Sequence, residues 1–139
     1  MVVNEVRGRV SNKKARALKL YELEVLIESV WSSYSDAQGL LVNFGYLHYN
    51  RLDATDHDRR IAEARRSLRD SLTRVRLLAN ELGLRGVTDL FASHIERGLP
   101  TGNACQVGFE LDRMDAWSGA YAMKGLLVDK VRSLQTDRQ

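Results

Sequence analysis

The chain has 139 residues, of which 44% are hydrophobic and 28% charged, and its formal net charge is +3. These values are typical of one globular domain with a substantial core, and they argue against wholesale disorder. A single cysteine excludes an internal disulfide framework, and the sequence contains no run of 18 apolar residues that would predict a transmembrane helix. We therefore expect a soluble, cytoplasmic protein that makes no contact with a membrane.

The N-terminal region is strongly basic. Residues 7–20 contain six basic residues and no acidic residue, which is what a segment that neutralises phosphate groups requires. We divide the chain into a basic arm at 1–12, whose order the sequence leaves open, and a single helical-bundle domain at 13–139. The residues of this region that are expected to contact nucleic acid are Arg7, Arg9, Lys13, Lys14, Arg16 and Lys19.

The first predicted helix spans residues 13–37. Its apolar residues recur at alternating spacings of three and four, which is the pattern of a helix that packs against other helices. Gly39 is expected to interrupt this pattern, and residues 40–50 are predicted to form either a second helix or a bent continuation of the first. The apolar stripe consists of Leu20, Leu23, Ile27, Val30, Tyr34 and Ala37.

The helix predicted over residues 56–83 has the clearest pattern. Its apolar residues repeat every seven positions, at Ile61, Leu68, Val75 and Leu82. Its arginines fall mostly on the opposite side, where they would meet solvent or phosphate. The four arginines expected to contribute to a nucleic-acid surface are Arg59, Arg60, Arg66 and Arg69.

Two further helices are predicted after Gly83, a glycine expected to adopt the left-handed conformation that ends a helix. The first is short, at about 87–97, and the second spans about 104–134 with Asn103 as its N-cap. Together the elements predict an all-α bundle of four main helices plus one short helix. The predicted core of the last helix is Val107, Leu111, Met114, Trp117, Tyr121, Val128 and Val131.

The segment SHIERGLPTGNA admits three interpretations: the end of a DNA-reading helix, a phosphoryl-accepting histidine, or the end of one helix followed by the start of the next. His94, Arg97 and Gly98 are similar to the His-x-x-Lys-Gly pattern of histidine phosphotransfer domains, and this resemblance implies a phosphoryl-accepting His94. The helix of that family continues beyond the motif, whereas Pro100 here removes a helical hydrogen bond. The favoured interpretation is architectural: Gly98 ends one helix and Asn103 caps the next.

Residues 77–100 also resemble, in residue type, the helix-turn-helix of a repressor family. Ala79 and Gly83 match the first two positions that such a motif needs. Asp89 occupies the position, about six after the glycine, where an apolar residue is expected. The second helix would therefore lack the apolar contact that fixes it against the first. We therefore favour two bundle helices joined by a glycine turn.

The sequence lacks enzymatic motifs. Its three histidines, His48, His57 and His94, stand in no spacing typical of a metal site, and there is no glycine-rich phosphate loop. No nucleophile, base and orienting residue can be assembled from the pattern. We therefore expect a non-enzymatic protein with no metal and no cofactor.

The charge pattern favours a binding or scaffold subunit of a larger complex that contacts nucleic-acid phosphates, of RNA or DNA, without sequence preference. The alternative is a protein–protein adaptor that completes a homo- or hetero-oligomeric helical bundle. In that case Trp31, Tyr34, Tyr46 and Tyr49 would serve as interface residues, since aromatic side chains are enriched at interfaces. Phosphotransfer at His94 is the minor alternative.

Overall fold

The computed structural model describes residues 2–99 and 109–136, and the side chains of residues 12–47, 49–99 and 112–136. Within these ranges the chain forms four helices and no strand, which confirms the predicted all-α bundle. The short helix that the sequence predicts at about 87–97 corresponds to the third helix of the structure. The helices are α1 (Val2–Tyr49), α2 (Thr55–Glu81), α3 (Arg85–Arg97) and α4 (Phe109–Thr136).

The two long helices α2 and α4 both run antiparallel to α1. Lys19 of α1 pairs with Glu81, the last residue of α2, at 2.8 Å. Glu24 of α1 pairs with Arg132, close to the end of α4, at 3.0 Å. Both neighbours of α1 therefore end near the same level of it, while their other ends lie towards Tyr49.

A tight turn reverses the chain between α2 and α3. Gly83 lies in this turn with a φ of +76°, the left-handed conformation that was predicted and that glycine adopts without strain. Arg65 of α2 donates from Nε to the carbonyl of Leu99, just beyond α3, at 3.3 Å. Because both ends of α3 lie along α2, the two helices form a bundle hairpin. A helix-turn-helix would cross at about 90–120° instead.

The core follows the predicted apolar stripes of α1 and α2. All six stripe residues of α1 are at most 1% exposed, and burying a large apolar side chain contributes about 1.5–3 kcal/mol. These stripes join into one hydrophobic core with residues from α3. The buried residues of α2 are Ile61, Leu68, Leu72, Val75 and Ala79, and those of α3 include Phe91, Ala92 and Ile95.

α1 is a single helix of 48 residues, so residues 40–50 continue the first predicted helix rather than forming a second one. The buried stripe passes from Ala37 to Leu41 at the normal spacing of four, while Gly39 lies on an exposed side. A glycine in a helix interior costs about 1 kcal/mol relative to alanine. The packing of the stripe on either side of Gly39 offsets this cost.

Part of the prediction for α4 falls outside the described residues. This applies to its predicted beginning near residue 104 and to Asn103 as its N-cap. It also applies to the side chains of Val107 and Leu111. The end of α4 at Thr136 lies two residues beyond the predicted one, which is within the usual uncertainty of helix boundaries.

The predicted core of α4 is wrong at two positions. Met114 and Tyr121 are 57% and 64% exposed, although both fall on the apolar stripe that the sequence indicates. Smaller side chains face the other helices instead, because small residues let helix backbones approach closely. Gly119, for example, lies against the ring of His94 on α3. Among the side chains of α4 that the structure describes, the buried ones are Ala116, Ala120, Leu127, Val128 and Val131.

Candidate functional site

α1 begins with a segment, residues 2–19, which we call the N-terminal extension. α2 ends beside Lys19, and α4 ends beside Glu24. α1 therefore continues past the ends of α2 and α4, as far as the structure describes them, for about 27 Å at a rise of 1.5 Å per residue. Every side chain from Asn12 to Lys19 is exposed, and Leu18 is 68% exposed. The extension protrudes as one helix.

The extension is strongly basic. Its six basic residues and one acidic residue give it a net charge of +5. Lys19 is bound to Glu81, but Lys14 and Arg16 form no ion pair with any residue that the structure describes. A helix with this excess of positive charge attracts a polyanion, because the two carry charges of opposite sign.

The structure places the predicted contact residues of the extension on this one protruding helix. The side chains of Arg7 and Arg9 lie outside the described residues. The backbone of both positions belongs to α1, which begins at Val2. The predicted contact residues with described and exposed side chains are Lys13, Lys14, Arg16 and Lys19.

The four arginines predicted on α2 do not share one surface. Arg59 is held by two carboxylates: it donates to Asp56 Oδ1 at 2.7 Å and to Glu63 Oε1 at 3.0 Å. The hydrogen bond from Arg59 lowers the pKa of Asp56, and the same bond raises the pKa of Arg59. Arg60 and Arg69 are nine residues apart, which at 3.6 residues per turn places them on opposite flanks of the helix.

Arg66 and Arg69 lie three residues apart on one flank, and neither forms an ion pair within the described part of the chain. Arg69 borders a groove of about 610 Å³ between α2 and α3, which Arg65 and Arg76 also line. Arg76 pairs there with Glu96 at 3.4 Å. Sequence reasoning missed Arg65 because its position borders the apolar stripe, and only the course of α3 shows that a groove runs there.

Distance along the bundle separates these basic regions. Lys19 marks the level of Glu81, and Arg60 lies 21 residues earlier in α2, about 32 Å away along the axis. Arg69 lies 12 residues before Glu81, which corresponds to about 18 Å. The flank of Arg66 and Arg69 is therefore the α2 region nearer to the extension.

α1 and α4 meet along an aromatic seam. The ring of Trp31 lies 4.6 Å from that of Trp117 and 5.8 Å from that of Tyr121, measured between centroids. Trp117 stacks on Tyr34 at 5.4 Å, and Lys124 Nζ lies 5.5 Å from the centre of the Trp31 ring. Aromatic pairs stabilise by about 0.5–1.5 kcal/mol beyond their buried area, so this seam holds the two helices together.

Tyr34 cannot serve as an interface residue, because it is fully buried. Its hydroxyl has no hydrogen-bond partner among the described residues, and burial raises the pKa of Tyr34 to about 12. Trp31 is partly buried in the seam. Of the four aromatic residues predicted for an interface, Tyr46 and Tyr49 are the ones that solvent reaches freely, at 65% and 87% exposure.

A buried amide ties α1 to the other helices beside this seam. Gln38 is 5% exposed, and its Nε2 donates to the carbonyl of Gly98 at 3.1 Å. Its Oε1 accepts a hydrogen bond from Arg113 Nη1 at 2.8 Å. These bonds fix Arg113 at the wall of an open cavity of about 300 Å³. The cavity is lined by Gln38, Gly39, Val42, Arg113, Met114, Trp117 and Ser118.

His94, the residue that resembles a phosphotransfer histidine, lies in the last turn of α3. Its ring packs against α4, where Gly119 leaves room for it. Its Nδ1 lies 3.1 Å from Arg97 Nη2, and Arg97 also pairs with Asp115 at 3.0 Å. The histidine is thus part of a contact between α3 and α4.

No group of three or more histidine, cysteine, aspartate or glutamate residues in the described ranges could hold a metal ion. No helix in those ranges is both long and apolar enough to cross a bilayer. Searches of protein-family models, of curated proteins and of solved structures find no match to this chain. Its function must therefore be inferred from the geometry of its own residues.

Proposed function

We propose that this chain is a non-enzymatic, cytoplasmic binding subunit that holds nucleic acid through its N-terminal extension, by contacts to phosphates rather than to bases. One observation carries the proposal: a basic helix with a net charge of +5 protrudes beyond the ends of α2 and α4. Lys14 and Arg16 on this helix have no ion pair with a described residue.

Nucleic acid fits this element in both charge and shape. Duplex DNA carries one phosphate charge per about 1.7 Å of its axis, and cationic side chains that neutralise phosphates release condensed counterions. An α-helix with its side chains is about 10–12 Å in diameter, and the major groove is about 12 Å wide. A protruding helix of about 27 Å would follow about eight base pairs at 3.4 Å each.

The distribution of charge favours binding through the extension rather than through the bundle. The whole chain carries +3 and the extension carries +5, so residues 20–139 carry −2. A polyanion is therefore attracted at one end of the molecule and weakly repelled by the remainder, which orients it during approach.

Arg66 and Arg69 supply a second contact in this proposal. Along the bundle axis, Arg69 lies about 22 Å from the level of Arg16, which is the length of about six to seven base pairs. A nucleic acid that leaves the extension along this flank would reach both arginines. Arg59 is excluded from the contact because Asp56 and Glu63 already bind its guanidinium.

The proposal is tested by fluorescence anisotropy with a labelled short DNA duplex and an RNA of the same length. The triple variant Lys13→Ala, Lys14→Ala, Arg16→Ala removes three cations from the extension. We expect its affinity at low salt to fall by about tenfold or more, because each lost phosphate contact removes counterion release. The variant should keep the stability of the wild type, since all three side chains are exposed.

The matched control is the triple variant Arg59→Ala, Arg74→Ala, Arg85→Ala. It lowers the net charge by the same amount, but each of its arginines is exposed and paired with a carboxylate in the bundle. We expect a loss of affinity well below that of the extension variant. Equal losses would mean that net charge, not the extension, drives binding. Absence of binding at low salt, together with binding of an acidic helical peptide, would replace this proposal with the adaptor alternative.

A further inference from the structure

One side of α1 points away from the bundle, and we call it the outer face. At 3.6 residues per turn, its side chains fall within an arc of about 80° that lies opposite the buried stripe of α1. Every one of them is exposed. The outer face consists of Lys14, Leu18, Tyr21, Val25, Ser29, Ser32 and Asp36.

The outer face carries a row of three large apolar side chains. Leu18, Tyr21 and Val25 are 68%, 65% and 50% exposed, so no described helix of the same chain covers them. Their spacings of three and four are those of an apolar seam between two helices. A single exposed apolar side chain is ordinary, but an aligned row indicates a surface that another molecule covers.

The two ends of the outer face carry opposite charges. Lys14 and Asp36 are exposed, and neither forms an ion pair with a residue that the structure describes. Each lies 11 residues from Val25, which is about 17 Å along the helix. A second copy of α1, laid antiparallel about Val25, therefore brings each Lys14 to the level of Asp36 of the other copy. Such charge pairs set the orientation of two packed helices.

The sizes of the side chains match in the same arrangement. Leu18 comes to the level of Ser32 of the other copy, and Tyr21 comes to the level of Ser29. Large apolar side chains thus meet small ones, which lets them interdigitate and lets the helices approach closely. Val25 meets Val25 of the other copy at the two-fold axis, and the axis repeats every other contact.

The length of α1 fits this arrangement. Val25 lies at the middle of the helix, which spans Val2–Tyr49, so two antiparallel copies would overlap over nearly all of its length of about 72 Å. A strip of that length and about 10 Å wide covers about 700 Å² on each copy, close to the ~800 Å² per partner of a stable interface. The other three helices of each copy lie on the far side of α1 and leave the contact free.

We propose that two copies of this chain form an antiparallel dimer through the outer faces of their α1 helices, with the two-fold axis at Val25. The partner is a second copy because the outer face is complementary to itself in charge, size and length. The dimer does not depend on nucleic-acid binding. Lys13 and Arg16 of the N-terminal extension lie at least about 120° from Val25 around the helix, so they stay accessible in the dimer.

The dimer is tested by sedimentation equilibrium of the full chain at several concentrations. We expect the mass to approach twice the 15.8 kDa of one chain as the concentration rises. Val25→Asp places two carboxylates against each other at the axis and should raise the dissociation constant by at least about tenfold. The matched control is Leu77→Asp, which changes an apolar side chain of α2 that is 62% exposed and should leave the dimer intact.

An exchange of charges tests the antiparallel orientation. Lys14→Asp alone brings two acidic groups to the same level of the interface, and Asp36→Lys alone brings two basic groups there. Each single variant should raise the dissociation constant by about tenfold, because like charges across an interface repel. The double variant recreates the pair with its charges exchanged, so it should dimerise like the wild type.

Cross-linking tests the position of the axis, in a Cys105→Ser background that removes the single cysteine of the chain. Val25→Cys places two thiols at the axis and should form a disulfide-linked dimer under mild oxidation. Two copies of Ser32→Cys would lie 14 residues apart, about 21 Å along the helices, whereas a disulfide needs Cα atoms about 4.4–6.8 Å apart. Ser32→Cys should therefore form a cross-link with Leu18→Cys and not with itself.

Three results would overturn the proposal. One is a monomer at every concentration up to about tenfold above the micromolar range of a moderately stable dimer. Another is an equal effect of Val25→Asp and Leu77→Asp on the dissociation constant. The third is self-cross-linking of Val25→Cys and Ser32→Cys to the same extent, which would mean that the contact is parallel or has no fixed register.

Discussion

A glycine is required at position 98 because of the neighbouring side chain of Tyr34, and not because of the backbone conformation of Gly98. Its φ of −76° is accessible to any residue, but a Cβ at this position would collide with the hydroxyl and ring of Tyr34. Tyr34 is fully buried and has no room to withdraw. We predict that Gly98→Ala lowers the free energy of unfolding by about 1–3 kcal/mol, measured by urea denaturation.

The control for this prediction is Gly45→Ala in α1, where an added Cβ meets nothing within 4 Å. It should raise the free energy of unfolding by about 0.5–1 kcal/mol, because alanine favours the helix. Introducing Tyr34→Phe should also recover part of the loss in Gly98→Ala, since it removes the colliding oxygen. If alanine had the same effect at both glycines, the close contact would play no part.

The buried hydroxyl of Tyr34 makes stability depend on alkaline pH. Burial raises its pKa from 10.0 to about 12, so the unfolded chain releases this proton before the folded chain does. The stabilisation is complete below pH 10 and is lost as the pH rises towards 12. We predict that wild-type stability falls more steeply over this range than that of Tyr34→Phe, by up to about 1.4 kcal/mol per pH unit. Urea denaturation of both proteins at several alkaline pH values checks this, and parallel curves would contradict it.

At the scale of single residues, the sequence predicted that a helix ends at Gly98, but not why a glycine is required there. A glycine two positions before a proline is a normal helix end, and α3 does end at Arg97. The contact that requires a glycine joins it to Tyr34, which lies 64 positions earlier in the chain. No local pattern reports on such a contact, nor on the bonds from Gln38 to Gly98 and Arg113.

At the scale of the helices, periodicity predicted most of what the structure shows. The stripe of α1 and the seven-residue repeat of α2 are buried as expected, because both patterns follow directly from the 3.6-residue turn. The expected interruption at Gly39 does not occur. A single glycine is a weak helix breaker, and its cost of about 1 kcal/mol is small beside the packing that follows it.

The register of α4 could not be read from the sequence in the same way. Large apolar residues occur on more than one side of this helix, and the buried face includes Ala116 and Ala120. A prediction from hydrophobicity alone assigns the larger side chains to the buried face of the helix. Close approach of helix backbones selects the small ones, and at Ala116 and Ala120 the small residues face the core.

The register of α4 gives a further prediction. Ala120→Leu should lower the free energy of unfolding by about 1–3 kcal/mol, because alanine is fully buried there and the core has no room for three more carbon atoms. Met114→Gln should change it by less than about 0.5 kcal/mol, since Met114 is 57% exposed. Urea denaturation distinguishes this register from the one predicted by hydrophobicity, in which the Met114 substitution would be the costly one.

At the scale of the whole molecule, the decisive feature is where the helices end relative to one another. The sequence shows six basic residues near the N-terminus, but it does not show that α2 and α4 end beside Lys19 and Glu24. That alignment turns a basic segment into a protruding basic helix. It also separates the extension from Arg60 by about 32 Å, so the two predicted parts of the nucleic-acid surface cannot act at one point.

The measurement that tests the nucleic-acid proposal most directly is the salt dependence of binding to duplex DNA. The logarithm of the affinity should fall linearly with the logarithm of the salt concentration, with a slope of about −0.9 for each neutralised phosphate. We predict that Lys13→Ala, Lys14→Ala, Arg16→Ala makes this slope shallower by about 2.7, and that Arg59→Ala, Arg74→Ala, Arg85→Ala leaves it nearly unchanged. A slope near zero for the wild type, or one that the extension variant does not alter, would contradict the proposal.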